Sequence, residues 1–353
     1  MTNKAWCIGF LLITLALLMG IGGLTAWIDP YFHYHAPQEQ LNYQIYAQRY
    51  QNDGIVKHFD YDAILTGTSV TENFKTSEFD ALFQAESVKV SFSGGSFKEI
   101  NDNLARALEE NPEIRYIVRG LDIYKILEGK DEMEEDFDYP TYLYDEKLLN
   151  DTSYLLNKTI FLQDTIITLR HTMLGYDTTS FDMYSNWMKD AKFGRQMMPG
   201  IEKRQIKADE EKLLSEEELQ MMKDNLEQNV ISLIKAYPDV QFYYFFPPYN
   251  MFWWDSIYQE GELTKQLEIL RETTRMLIGY ENLHLFSFFD DTELINNFDW
   301  YKDTIHYHED VNSLMLEKMK KDEHRLTDEN WESHWMHLET YLRAYQYDEL
   351  YEE

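Results

Sequence analysis

Three short stretches of this 353-residue chain hold the residue types that acyl-transfer chemistry needs. Gly67-Thr68-Ser69 sets a hydroxyl directly after the apolar run 61–66 (YDAILT), where a serine at a strand end keeps its own amide free to donate. Asp303-Thr304-Ile305-His306 places a carboxylate and an imidazole three apart on a turn, so that Nδ1–H bonds the carboxylate and Nε2 is left as base. Ser93-Gly94-Gly95-Ser96 follows the run 88–92 (VKVSF), and glycine there lets backbone N–H groups approach an oxyanion. Taken singly, each stretch also has a plain reading: a turn or helix cap for Ser69, a surface pair near a helix start for Asp303 and His306, a tight turn for the glycines. Gly67-Thr68-Ser69-Val70-Thr71 lacks the second glycine of an α/β-hydrolase nucleophile elbow.

What must position these residues is a set of short β-branched or aromatic runs that end at turn-prone residues. Besides 61–66 and 88–92 they are 115–119 (RYIVR), 240–246 (VQFYYFF) and 283–288 (LHLFSF), all reading as core strands. Helical stretches alternate with them at 98–110, 215–237 and 263–278, the second opened by a capping-box pattern of Ser215 with Glu218. Strand–helix alternation implies an α/β chain with a parallel sheet covered on both faces, and in such sheets ligands collect beyond the carboxyl ends of the strands. The serine after the first strand, the glycine turn after the second and the Asp-x-x-His after the last all converge on that edge.

This arrangement resembles the SGNH/GDSL hydrolase superfamily, over roughly residues 61–319. The resemblance implies a three-layer, SGNH- or flavodoxin-like parallel sheet spanning 61–325, with Ser69 as nucleophile and oxyanion donor, Gly94 as backbone donor, His306 as base and Asp303 as its orienter. Gly-Thr-Ser stands where the family has Gly-Asp-Ser. At the third strand end, Arg119-Gly120-Leu121-Asp122 stands where the family's Gly-x-Asn-Asp supplies an asparagine donor. Asp122, if protonated, or Asn250 in Pro247-Pro248-Tyr249-Asn250 would replace it, and one absent donor costs about 10²–10³ in rate. A membrane-anchored, exported, cysteine-poor plan is similar to that of superfamily members that move or remove acyl groups on cell-surface polymers, including D-alanyl-lipoteichoic acid assembly factors and polysaccharide O-acetyltransferases.

The rest of the chain bears on location and partners. Residues 5–28 carry no charge and are long enough to cross a bilayer; Lys4 precedes them and Asp29 follows, which places residues 1–4 in the cytoplasm and the remainder outside. A cleaved signal peptide is the alternative, disfavoured by the length of the run and by its Leu24-Thr25-Ala26-Trp27 exit. In the juxtamembrane segment 29–60, together with Trp27, the rings of Tyr31, Phe32 and Tyr34 read as a headgroup-depth cluster, with His33 and His35 interfacial. The lone Cys7 lies in the span, which excludes disulfides, thiol nucleophiles and cysteine-based zinc sites from the exported part. A formal charge of −31 disfavours nucleic-acid partners. No glycine-rich phosphate loop is present, and Asp303, His306 and His308 are too few for a metal site; no cofactor is expected.

Between the third and fourth strands lies a mainly helical insertion, about 123–239, opening with ten acidic residues and two lysines over 128–151, a solvated face or a lid. The tail 326–353 reads as a helix that packs by its aromatic residues, and His324, His334 and His337 read as surface residues. Tyr249, Phe252, Trp253 and Trp254, near the fourth strand end, suit either sugar stacking or a packed core edge. Two functions compete: an anchored serine esterase or O-acyltransferase acting on a surface polysaccharide or teichoic-acid-like polymer, supplied by a membrane-bound O-acyltransferase, and a non-catalytic scaffold or polymer-binding module on the same fold.

Overall fold

A computed structural model describes residues 2–134, 139–145, 147–199, 204–208 and 210–351. The strands are β1 (Ala63–Thr66), β2 (Ser87–Lys89), β3 (Tyr116–Gly120), β4 (Gln241–Phe246), β5 (Leu283–Ser287) and β6 (Arg325–Leu326). The principal helices are α1 (Asn3–Ile28), α2 (Gln48–His58), α3 (Thr76–Phe83), α4 (Phe97–Glu110), α5 (Ile166–Leu174), α6 (Glu216–Leu226), α7 (Met251–Gln259), α8 (Leu263–Leu277), α9 (Glu309–Lys320) and α10 (Trp331–Ala344). The chain divides into two compact units: Met1–Asp60 with Glu135–Ser180, and Tyr61–Glu134 with Phe181–Glu353. The acidic run 128–151 falls across both units and lies partly outside the described residues.

The second unit carries the sheet, in the order β2-β1-β3-β4-β5-β6. All five expected strands are present and run parallel, with Ile64 beside both Val88 and Ile117 and Val118 beside Tyr243. The expectation of a purely parallel sheet needs correction, because β6 joins the β5 edge antiparallel through Leu285–Leu326 and Phe286–Arg325. β1 and β2 are buried throughout and β3 nearly so, as strands with both faces covered must be. α3 packs on α9, α8 on α10, and α4 on the turn that continues α6. Both capping boxes, Ser96 with Glu99 and Ser215 with Glu218, are formed. In the tail, Trp335 is buried and its indole N–H donates to Thr274 Oγ1 at 3.0 Å.

Strand order reverses between β1 and β3, so the crevice beyond their carboxyl ends is the switch point where ligands of such sheets bind. The β1 turn into that crevice depends on Gly67. Its φ is +145°, and a Cβ there would lie 2.6 Å from Thr71 Cγ2 and 3.2 Å from Gly120 N.

In the first unit, α1 is 26 residues long with a mean hydropathy of 2.4 over its most apolar window, enough to cross a membrane; a signal sequence meets the same measure. Asp29 ends it in the left-handed region (φ 47°), and its carboxylate accepts from the amides of His33, Tyr34 and His35 and from the Tyr154 hydroxyl at 2.7 Å. This wrapping corrects the reading of the rings as a headgroup cluster. Tyr31 and Phe32 are buried, with Tyr31 in a core alongside Tyr154 and Ile160, while Trp27 is half-exposed. Their side chains pack on protein because the chain folds back over them, a contact sequence patterning does not carry.

Candidate active site

Ser69 opens a single 3₁₀ turn (Ser69–Thr71) directly beyond β1. Thr71 Oγ1 closes the turn on Thr68 O at 2.8 Å and meets Ser91 Oγ at 2.8 Å, tying it to the chain beyond β2. There the β1–β2 pairing continues as Val90 N to Leu65 O and Phe92 N to Gly67 O, which sets the Ser93-Gly94 turn beside the serine loop. Gly94 has a φ of 62°. Neither the Ser69 N–H nor the Gly94 N–H donates a hydrogen bond to any described residue.

Asp303 and His306 occupy a tight loop closed by the antiparallel bridge of Tyr301 with Tyr307 and by Lys302 N on His306 O at 2.9 Å. Both tyrosines are buried and used as struts. Tyr301 OH donates to Pro248 O at 2.6 Å, fixing the loop to the β4 end, while Tyr307 OH and Asn312 Nδ2 both donate to Val70 O at 3.1 Å, directly behind Ser69. The two loops are thereby held in register. Ser69 Oγ lies 2.7 Å from His306 Nε2, and His306 Nδ1 lies 2.8 Å from Asp303 Oδ2.

The other Asp303 oxygen accepts from the amides of Ile305 at 3.0 Å and His306 at 2.8 Å. Burial alone would raise the Asp303 carboxyl, but the His306 ring and these two amides outweigh it and hold the group below its ordinary pKa. An ionised Asp303 fixes the proton on Nδ1, so Nε2 accepts from the serine hydroxyl. Ser69 and His306 both remain partly exposed.

The two candidates for a third oxyanion donor are committed elsewhere. Asp122 accepts from Thr68 Oγ1 at 2.9 Å, from the Tyr249 hydroxyl and from Tyr124 N at 3.3 Å, so it acts as an acceptor that braces the residue before Ser69. Asn250 is fully buried: its Oδ1 caps α7 at Phe252 N, and its Nδ2 donates to Asp303 O at 3.0 Å and Met198 Sδ at 3.4 Å. It supports the Asp303 loop from below. Tyr249, Phe252, Trp253 and Trp254 are likewise buried, packing with Phe289 and Phe298, so no ring face among them is open to a sugar. His308 does not join Asp303 and His306 as a ligand, because its Nδ1 accepts from Asp310 N at 3.2 Å to cap α9.

The aromatic ring that does meet the site is Trp187, which sequence pattern did not single out. It stands edge-on to the His306 ring with centroids 5.8 Å apart, donates Nε1–H to Ser69 O at 3.4 Å and carries Lys302 Nζ 4.6 Å above its face. Its backbone is pinned by Asn73 Oδ1 at 3.2 Å. The segment around it has no helical or strand period, so only the tertiary contact reveals it.

A second group of the same residue types gives a useful contrast. Ser287 Oγ lies 3.0 Å from His334 Nε2, and His334 Nδ1 lies 3.2 Å from Asp290 Oδ2. His324 Nδ1 also reaches Asp290, at 2.9 Å. His324 and His334 are therefore half-buried network residues and not the surface residues expected, whereas His337 is exposed. Ser287 is fully buried, and its amide is spent on His324 O at 3.0 Å. What separates Ser69 from Ser287 is an accessible oxygen with an uncommitted amide.

No protein-family model matches this chain, and no curated protein does. Two chains of solved structure match. One, from Streptococcus pneumonia, is described as a "putative platelet activating factor": it is 13% identical, covers 78% of this chain and 90% of its own length, and superposes with a TM-score of 0.38. At that level the likeness carries no argument about chemistry, which has to come from the site.

Proposed function

We propose that this protein is a membrane-anchored, extracytoplasmic serine esterase or O-acyltransferase of SGNH type, acting on acyl esters of a cell-surface polysaccharide or teichoic-acid-like polymer. The observation that carries the reading is the continuous chain from Ser69 Oγ through His306 to Asp303, at 2.7 and 2.8 Å, beside two free amides at a sheet switch point.

In this reaction Ser69 Oγ attacks the ester carbonyl carbon while its proton passes to His306 Nε2. The resulting oxyanion lies against the N–H groups of Ser69 and Gly94. Collapse breaks the bond to the alcohol oxygen, which takes the proton from His306 and departs, leaving an acyl-serine. A second hydroxyl, deprotonated by His306, then attacks the acyl carbon; the bond to Ser69 Oγ breaks, and that oxygen takes the proton back from His306. Water in that role gives an esterase, and a sugar or polyol hydroxyl gives a transferase. An acceptor site that excludes water would favour transfer. The acyl donor must arrive across the membrane, and a membrane-bound O-acyltransferase is the partner this reading calls for.

One observation favours the alternative, a catalytically degenerate scaffold or polymer-binding module: Asp122 occupies the place of the asparagine donor and is wholly engaged as an acceptor. Loss of one donor removes about 10²–10³ in rate and leaves the rest of the acceleration in place. The test is turnover of p-nitrophenyl acetate by the full chain in detergent, alongside Ser69→Ala and an organophosphonate probe. Serine-dependent release with a covalent adduct is expected. Neither release nor adduct from a folded protein establishes the scaffold.

A further inference from the structure

The first unit presents an apolar surface that the proposed chemistry does not use. Its segment 147–174 contains short helical turns, a π-helical stretch (Ile160–Thr165) and α5, and it exposes Leu148, Leu149, Leu156, Leu162, Met173 and Leu174, with Leu149 92% and Met173 86% accessible. Single exposed apolar side chains need no explanation, but with Ile166 there are seven within 27 residues.

Three observations say what covers them. The segment packs on the last turns of α1: a Cβ at Gly22 would meet Leu156 Cδ2 at 3.5 Å and Leu155 Cβ at 3.7 Å, and Thr165 Oγ1 donates to Thr25 Oγ1 at 3.4 Å. Gly22 precedes the helix end at Ile28 by six residues, about 9 Å of rise, which is the depth at which interfacial helices bury their apolar face. The charges are sorted as well. Between residues 147 and 174 both acidic side chains are buried against tyrosines, Asp151 under Tyr34 OH at 2.9 Å and Asp164 under Tyr31 OH at 3.0 Å. Lys147, Lys158 and Arg170 are exposed, and Asp145 and Asp177 flank the stretch. Lys147 lies 3.8 Å from the Asp145 carboxylate at the edge of the stretch, which leaves Lys158 and Arg170 as the exposed charges within it; in a chain of net charge −31, a leucine-rich face whose interior charges are basic complements anionic lipid.

We propose that segment 147–174 lies in the outer leaflet beside α1, as a second membrane contact for anionic phospholipid. This rests on α1 being a retained span, and the packing itself bears on that point: cleavage after α1 would strip Leu155, Leu156 and Thr165 of their partners. With a transmembrane helix alone the exported part is tethered by a single pivot. An interfacial segment fixed to that helix through Asp29, Tyr31 and Tyr154 sets the orientation of the first unit on the bilayer as well.

The test uses the full chain with Cys7→Ser, removing the only cysteine, and single replacements Leu15→Cys, Leu162→Cys, Met173→Cys and Leu213→Cys, each nitroxide-labelled in vesicles of phosphatidylglycerol and phosphatidylethanolamine. Leu15 reports the span, and Leu213, exposed and flanked by Glu210, Glu211, Glu216 and Glu217, serves as the aqueous reference. Labels at 162 and 173 should collide with oxygen and lose collisions with a water-soluble nickel chelate, as the label at 15 does. Aqueous behaviour at 162 and 173 with lipid exposure at 15 overturns the interfacial contact and leaves the anchor standing. Aqueous behaviour at 15, or a mature chain whose mass begins after α1, overturns the anchor and this contact with it. Labels at 162 and 173 that are aqueous in vesicles but shielded in native membranes would mean that a membrane protein covers this face, and the lipid assignment fails.

Discussion

Replacing Asp303 by asparagine tests the proposed site most directly, because the geometry leaves a side-chain amide no satisfactory orientation. The native carboxylate is saturated on both oxygens: Oδ1 accepts two backbone amides, from Ile305 and His306, and Oδ2 accepts His306 Nδ1–H. If the substituted side chain keeps its oxygen on the two backbone N–H groups, its NH₂ faces His306 Nδ1. The imidazole must then carry its proton on Nε2, where it donates to Ser69 and no longer serves as base; such a tautomer change is worth about 10⁴ in rate. If the side chain flips, the imidazole keeps the right tautomer but an NH₂ faces two N–H donors. Leaving those two backbone amides unpaired costs roughly 2–6 kcal/mol, or about 30-fold to 10⁴-fold in the productive population. Either way kcat/KM for p-nitrophenyl acetate should fall by at least about 30-fold and by as much as about 10⁴-fold, with Asp303→Ala no worse than Asp303→Asn because alanine imposes no tautomer. Circular dichroism and the thermal midpoint show whether each variant is folded. A folded Asp303→Asn protein that retains activity within about threefold of the parent would sink the assignment of His306 as a base oriented by Asp303.

Three further outcomes follow from the same contacts. An organophosphonate should label Ser69 and spare Ser287, so Ser69→Ala abolishes the adduct while Ser287→Ala leaves it; mass spectrometry of the labelled peptide decides, and a Ser287 adduct contradicts the argument from amide and access. Trp187→Ala removes the edge contact with His306 and the Nε1 bond to Ser69 O, together about 1.5 kcal/mol, and should lower kcat/KM about tenfold with a smaller loss for Trp187→Phe, measured as steady-state hydrolysis. Burial would raise the Asp290 carboxyl, but hydrogen bonds from His324 and His334 hold its pKa well below the ordinary value, so the group contributes stability above the unfolded pKa near ~4 that is lost as pH falls through the folded one. Urea unfolding should therefore show Asp290→Asn less stable by on the order of 1 kcal/mol at pH 7, after allowing for solvent screening, with the gap closing below about pH 4. A gap that fails to narrow as pH falls from about 4 toward the folded pKa rules out Asp290 as its source.

The central sheet was legible in the sequence because its strands, buried on both faces, have to be written as apolar runs between turn residues. The two-residue β6 was not, since a strand that short has no period to read. The convergence of Ser69, Gly94, Asp303 and His306 was also legible, because each follows a strand and a parallel α/β sheet sends all such positions to one edge. Asp122 and Asn250 show the limit. Their types suited oxyanion donation, but whether an amide or a carboxylate points into a site depends on what else it must satisfy, and here helix caps and buried hydroxyls claim them. The same applies to the aromatic run of residues 252–254, where burial by Phe289 and Phe298 is a tertiary fact with no local signature.

The two serine–histidine–aspartate groups of this chain show why placement at the fold level outweighs residue type. Ser69 and Ser287 both stand at the carboxyl end of a parallel strand, and both meet the Nε2 of a histidine whose Nδ1 faces an aspartate. β1 lies at the point where strand order reverses, so its neighbours lead away from it, and there the Ser69 hydroxyl stays partly exposed and its amide unpaired. β5 instead receives β6 along its edge, and the chain arriving there supplies His324, whose carbonyl takes the Ser287 amide. Once that amide is spent and the hydroxyl buried, a serine in the same chemical company can only hold structure together. The reactive reading of Ser69 thus rests on three residues in line and on the absence, at β1, of what β6 brings to β5.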